Sequence, residues 1–189
     1  MQNAPECAII GVMNEERKGG THVEFLIASD SHGRSGRLQE ALERQLRMPE
    51  ALFFLGDGLR DLSSLSLAPE RIVAVRGNCD LFSAGGLDTP EERLLAYGEH
   101  RILLCHGHTH GVKGGLGALL AHAARRGADV VLYGHTHRAQ EQVIPAGTLL
   151  GGVLLQRPLY VFNPGSIAEG SFGTLLLGKE GVLLSHGSL

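Results

Sequence analysis

From residue 24 onward, short apolar runs alternate with segments of helical period, and each of the first five runs ends in residues competent to bind metal. The runs are EFLIAS (24–29), ALFFL (51–55), RIVAV (71–75), RILLC (101–105) and VVLY (130–133), compositions that suit buried strands. Such alternation predicts an α/β layered domain. Leu38, Leu42 and Leu46 recur every four residues and predict a helix over 35–48, ended by Pro49. Leu116, Leu119, Leu120, Ala123 and Ala124 predict a second helix, with Gly127 as its C-terminal cap. After 139 the runs AQEQVI, RPLYVF, FGTLLL and GVLLS, punctuated by PAG, NPGS and GKEG, predict antiparallel sheet. The stretch 145–157 is longer than a tight hairpin needs, so its leucines are expected to cover a core edge or form an oligomer contact.

With 189 residues, of which 43% are hydrophobic, the chain suits one domain with a substantial core, expected over 23–189 behind an N-terminal extension at 1–22. Within that extension, CAIIGVM (7–13) leaves three readings open: an added edge strand, a docking segment or a start-site artefact. It follows an acidic residue and is far shorter than a membrane span, so a cytoplasmic protein with no membrane association is expected. The net charge of −3 supplies no global positive field, and Trp is absent. No stable nucleic-acid complex is therefore expected, and an anionic substrate needs a local source of positive charge. Cys7, Cys79 and Cys105 are odd in number and irregular in spacing, which argues against a disulfide framework.

The five run ends carry the chemistry. They are Asp30-Ser31-His32, Gly56-Asp57, Gly77-Asn78-Cys79-Asp80, His106-Gly107-His108 and Gly134-His135-Thr136-His137. Any one of these alone reads as a turn or a helix cap. Five in succession read differently, because ligands of open α/β sheets bind beyond the carboxyl ends of strands, where these loops converge. Carboxylate, amide oxygen and imidazole suit Mn, Fe, Zn, Ni or Co, and seven good donors are too many for one tetrahedral ion. They match two divalent ions sharing a carboxylate at about 3.5–4 Å separation.

The series Asp30-x-His32, Gly56-Asp57, Gly77-Asn78-x-Asp80, His106 and Gly134-His135-x-His137 resembles the calcineurin-like metallophosphoesterase signature. GNCD, HGH, YGHTH and NPGS (163–166) further resemble its small phosphodiesterases of the YfcE type. The resemblance spans 24–185. It implies a four-layer αββα sandwich with two mixed β-sheets, and hydrolysis of a small phosphodiester by a hydroxide bridging two metal ions, Mn foremost. It implies further that Asp30, His32 and His137 bind one ion, that Asn78, His106 and His135 bind the other, and that Asp57 bridges them. Asp57, Asn78 and His108 are then the catalytic group, with Asn78 and His108 facing substrate.

Gly-His-Thr-His thus occurs twice, at 107–110 and 134–137, with unequal roles. Both histidines of the second copy are candidate ligands, whereas in the first His108 faces substrate and His110 has no assigned role. Cys79 stands where related phosphatases carry a histidine, so the general acid is unassigned and good leaving groups are favoured. The glycine-rich GVKGGLG (111–117) lacks the features of a phosphate-binding loop. Alternatives within the fold are a phosphomonoesterase, a cyclic-nucleotide hydrolase, or a silent protein-binding scaffold like the retromer subunit Vps29. A homo-oligomer is compatible with all of them.

Overall fold

A computed structural model describes residues 8–9, 22–83 and 85–189. Cys7, 10–13 and most of the polar lead-in after them lie outside the described residues. The strands are β1 (Ala8–Ile9), β2 (His22–Ala28), β3 (Ala51–Phe54), β4 (Ile72–Ala74), β5 (Glu92–Tyr97), β6 (His100–Cys105), β7 (Val130–Tyr133), β8 (Ala139–Ile144), β9 (Leu149–Leu150), β10 (Val153–Leu154), β11 (Leu159–Pro164), β12 (Ser171–Gly178) and β13 (Gly181–Ser188). Two α-helices accompany them, α1 (Ser35–Glu43) and α2 (Gly117–Arg126). No helix among the described residues is long and apolar enough to cross a membrane.

All but β9 and β10, which pair with each other, join two mixed sheets, ordered β13-β12-β2-β3-β4 and β1-β5-β6-β7-β11-β8. Alternation along each strand divides its side chains between two cores. Phe25, Ile27, Phe53 and Leu55 of the first sheet meet Ile102, Leu104, Val130, Leu132 and Phe162 of the second in the central core. On the outer face of the first sheet, Leu26, Ala28, Leu52 and Phe54 pack on Leu38, Ala41 and Leu42 of α1. Leu103, Cys105, Val131 and Tyr133 do the same with Leu119, Ala123 and Ala124 of α2. The result is the αββα sandwich. Its strands read as nearly continuous apolar runs because both faces are covered.

α1 ends at Glu43, five residues short of the helix predicted over 35–48, and Leu46 is fully exposed. Gln45 closes the helix: its N–H donates to Leu42 O (3.2 Å) and its amide to Ala41 O (2.7 Å). Pro49 disfavours a helical Met48, and Glu50 N–H already pairs with Glu24 O as β3 begins. The chain needs those residues to descend into the sheet. α2 ends as predicted, with left-handed Gly127 donating to Ala124 O and Ala128 to Ala123 O.

The tail strands pair antiparallel as predicted, β8 with β11 and β12 with β13, and they do so as extensions of the two sheets. β8 and β11 extend the second sheet, where β11 also runs parallel to β7, while β12 and β13 extend the first. β5 was missed in the sequence; it pairs antiparallel with β6 through the turn at Gly98. Ala8–Ile9 pairs with Leu95–Ala96 as an edge strand. The β9–β10 hairpin lies on α2, with Leu150 and Val153 packed on the outer core and Leu155 buried in it.

Candidate metal centre

Register sets the level of the site. Ala28 pairs with Phe54 and Phe54 with Ala74, so three loops of the first sheet emerge side by side; Cys105 pairs with Tyr133, which does the same for two loops of the second. The five loops thus converge from two sheets that present their carboxyl ends together. Asp30 N–H donates to Gly56 O (2.9 Å), His32 N–H to Asp57 O (3.1 Å) and Gly134 N–H to His106 O (3.2 Å). Bonds between loops of the two sheets include His135 N–H to Asp30 Oδ2 (3.1 Å) and His106 Nδ1 to Leu55 O (2.7 Å).

Two groups of side chains result, Asp30 with His32 and His137, and Asp57 with His106 and His135. In the first, Asp30 Oδ2 accepts from Ser29 Oγ (2.5 Å) as well as His135 N–H, yet the buried Oδ1 accepts no hydrogen bond. That oxygen faces ring nitrogens of His137 at 3.2 Å, His32 at 3.9 Å and His106 at 4.0 Å. His32 and His137 bring their Nε2 atoms within 3.3 Å of each other. In the second, a carbonyl only accepts, so His106 Nδ1 is the donor to Leu55 and Nε2 is left to face the centre. It lies 3.3 Å from Asp57 Oδ2 and 3.2 Å from His135 Nδ1. Lone pairs aimed at one another at these separations match the edges, about 3.3 Å, of a tetrahedron of donors roughly 2.0–2.1 Å from an ion. The donor sets therefore fit divalent metal.

The charge states tell the same story. Burial would raise the Asp57 carboxyl, but the hydrogen bond and charge of His106 and the Cys79 N–H outweigh it and hold it below the carboxylate range. Burial would lower His106, yet Asp57 and Asp30 raise it. His135 is brought down to about 4 by burial and then by the charge of His106. A positive charge is wanted between these carboxylate oxygens and imidazole nitrogens.

Backbone strain marks the same residues. Among the described residues, the non-glycine residues with positive φ are Asp30 (59°), His32 (46°), Asp57 (61°), His135 (70°) and His137 (58°). Strain concentrated this way persists only where the surroundings over-determine it, and it points to function. Gly56 allows two of the loops to approach closely: a Cβ there would sit 2.5 Å from Gly77 N. For His137, whose side chain is 37% exposed, a direct consequence follows. Substitution by Gly removes about 1–2 kcal/mol of left-handed penalty and returns about 0.5–1 kcal/mol of glycine entropy. His137→Gly should unfold in urea, with chelator present, at concentrations no lower than the parent's while losing metal uptake; destabilisation beyond about 1 kcal/mol would show that this backbone is unstrained.

The remaining expected residues fall around this centre. Asn78 lies exposed at its lip, with its amide donating to Cys79 Sγ (3.3 Å). His108 is half-buried, its ring 5.4 Å from that of His106, with a buried Nδ1 that has no partner. Burial and then the His106 charge lower its pKa. His110 points away from the centre, toward Glu92 and His122.

Sequence reasoning assigned no role to several supporting residues. Asp80 is buried and accepts from four backbone N–H groups: Asp57 (2.7 Å), Gly77 (2.8 Å), Gly58 (2.8 Å) and Leu59 (3.0 Å). Its place in GNCD was the available signal. Asp61 holds Ser31 Oγ (2.5 Å) and Gly33 N–H (2.8 Å), from a segment with no distinguishing pattern. NPGS turns out to brace the loops: Asn163 donates to Gly134 O (3.0 Å) and Ser166 Oγ to Asp30 O (2.9 Å). Cys79 comes close enough to His32 and Asp57 to count among possible ligands. Burial and then Asp57 push its thiol up to about 11. Beside these groups opens a cleft of about 260 Å³ whose lining includes His32, Asp57, Cys79, Ser83 and the guanidinium-bearing Arg60.

Comparison with known proteins agrees. The calcineurin-like phosphoesterase superfamily domain matches residues 23–181. The probable metallophosphoesterase YsnB of Bacillus subtilis (strain 168) is 37% identical over 145 residues, covering 77% of this chain and 75% of its own. The phosphodiesterase YfcE of Escherichia coli (strain K12) is 28% identical over 167 residues, covering 77% of this chain and 80% of its own. Among solved structures, Vacuolar Protein Sorting 29 from Cryptosporidium parvum superposes with a TM-score of 0.62 at 18% identity, over 90% of this chain and 100% of that one, which shows a shared fold. The chain therefore belongs to the calcineurin-like phosphoesterase superfamily, hydrolases that act on phosphoester bonds with divalent metal ions.

Proposed function

We propose that this protein is a phosphodiesterase working through two divalent metal ions. The observation that carries the reading is the pair of facing donor groups, with the unpartnered Asp30 Oδ1 in one and, in the other, His106 Nε2 turned toward Asp57 and His135. In this reading Asp30, His32 and His137 hold one ion, and Asn78, His106 and His135 hold the other, with Asp57 between them. When bound, such ions lower the pKa of an attacking water and neutralise phosphate oxygens as charge builds in an in-line displacement.

The protein's own groups orient the reaction. His106 is fixed by Leu55 O, and Asp57 by the Cys79 N–H at 2.8 Å, so neither reorganises as substrate arrives. His108, half-buried beside His106, would turn a ring nitrogen toward the phosphate. Arg60 also lines the cleft, where its guanidinium can meet a phosphate oxygen. A small diester with a good leaving group is accordingly the substrate class, since Cys79, with its raised pKa, is a poor proton donor.

Hydrolysis of bis-p-nitrophenyl phosphate and of p-nitrophenyl phosphate, on chelator-stripped protein given Mn, Ni, Co, Zn or Mg singly, tests the reading. Metal-dependent turnover of the diester over the monoester is expected, with Mn effective. A preference for the monoester would move the assignment to a phosphomonoesterase. No turnover on protein carrying two ions would favour a scaffold of the kind its Vps29 structural neighbours exemplify.

A further inference from the structure

The first Gly-His-Thr-His leaves one histidine outside the metal centre. His110 lies on the turn His108–His110, which aims His108 at the centre and His110 the opposite way. There it meets His122 of α2 and Glu92 of β5, all half-buried, with one ligand atom from each within 4.8 Å of the others. Glu92 Oε2 lies 2.8 Å from His122 Nε2 and 3.9 Å from His110 Nε2. The second distance is beyond hydrogen bonding, so His110 is not there to bond the carboxylate directly. The two imidazole rings stack at a tilt, with centroids 4.8 Å apart. Oε1, the other carboxylate oxygen, is held by Arg126.

We infer that Glu92, His110 and His122 form a further metal site, separate from the candidate centre and suited to zinc. Two imidazoles and one carboxylate make a three-ligand set typical of zinc, with the fourth position left to water. Arg126 plays the part expected of an outer partner: it fixes the ligating carboxylate through the oxygen that does not face the ion. Binding asks little of the fold: His122 gives up its Nε2 proton to solvent and keeps one on Nδ1, Nε2 and Glu92 Oε2 exchange their hydrogen bond for the ion, and His110 swings toward it. The ion would tie β5, α2 and the turn together. Because His110 N–H also closes that turn onto Gly107 O (3.1 Å), the turn bearing His108 would be fixed from behind.

The test is zinc bound per chain, measured by elemental analysis after chelator stripping, zinc loading and desalting. The parent should carry one zinc more than His110→Asn and one more than His122→Gln. It should also gain thermal stability from that zinc, and the variants should not. Because the readout is a difference of one, it holds whatever number of ions the main centre takes. Equal counts in parent and variants would overturn the inference and leave the cluster an ion pair of Glu92. Circular dichroism identifies a variant that fails to fold, and Glu92→Gln, which keeps the shape of the side chain, then decides by the same count.

Discussion

Asp57→Asn is expected to lower turnover of the diester by more than about 100-fold, beyond the roughly 10–100-fold typical when only an outer partner of a metal ligand is removed. Two physical changes act together. The amide removes the negative charge that faces both donor groups, and it places an N–H or a weak acceptor 3.3 Å from His106 Nε2, where a carboxylate oxygen now lies. The fold should be indifferent: the amide oxygen can still accept from Cys79 N–H, and Asn tolerates the left-handed backbone at this position better than most residues. Kinetics with saturating Mn and a circular dichroism melt make the comparison. Wild-type turnover in this variant would remove Asp57 from the chemistry.

Asp80→Asn should be the most destabilising polar substitution around the site. Its two oxygens each accept two backbone N–H groups from the loops after β3 and β4. An amide keeps one oxygen and turns two hydrogens toward the other pair of donors. Whichever pair is faced is left buried and unsatisfied, at about 1–3 kcal/mol per group, so the free energy of unfolding should fall by about 3 kcal/mol. Activity should fall as well, because these bonds hold Asp57 in its strained conformation. Urea unfolding measures the first effect and diester hydrolysis the second. A variant as stable as the parent to within about 0.5 kcal/mol would show that water or rearrangement replaces the carboxylate.

The strands carrying the candidate ligands were legible because burial on both faces gives continuous apolar runs, and the donor residues follow each run directly. Six of the expected ligands meet in two groups, while Asn78 sits at the lip beside Cys79. Other features had no local signal. Apolar runs report burial but not which neighbour does the burying, so the division of strands between two sheets was invisible. β5 escaped notice because its burial pattern is weak, with only Leu94 and Leu95 buried. The excess length assigned to α1 came from periodicity alone: Leu46 continues the repeat, but tertiary descent into β3 overrides it. Asp61 and the Glu92, His110 and His122 cluster join residues distant in sequence, and no spacing rule reaches them. Left-handed backbone at five donors was equally silent, since it is imposed by the loops packing on one another.

Anomalous diffraction from crystals loaded with Mn addresses the central claim most directly. The account predicts two peaks about 3.5–4 Å apart at the carboxyl ends of the two sheets, one against Asp30, His32 and His137 and the other against His106 and His135, with Asp57 between them. A single peak among these residues, or none at full loading, would contradict it.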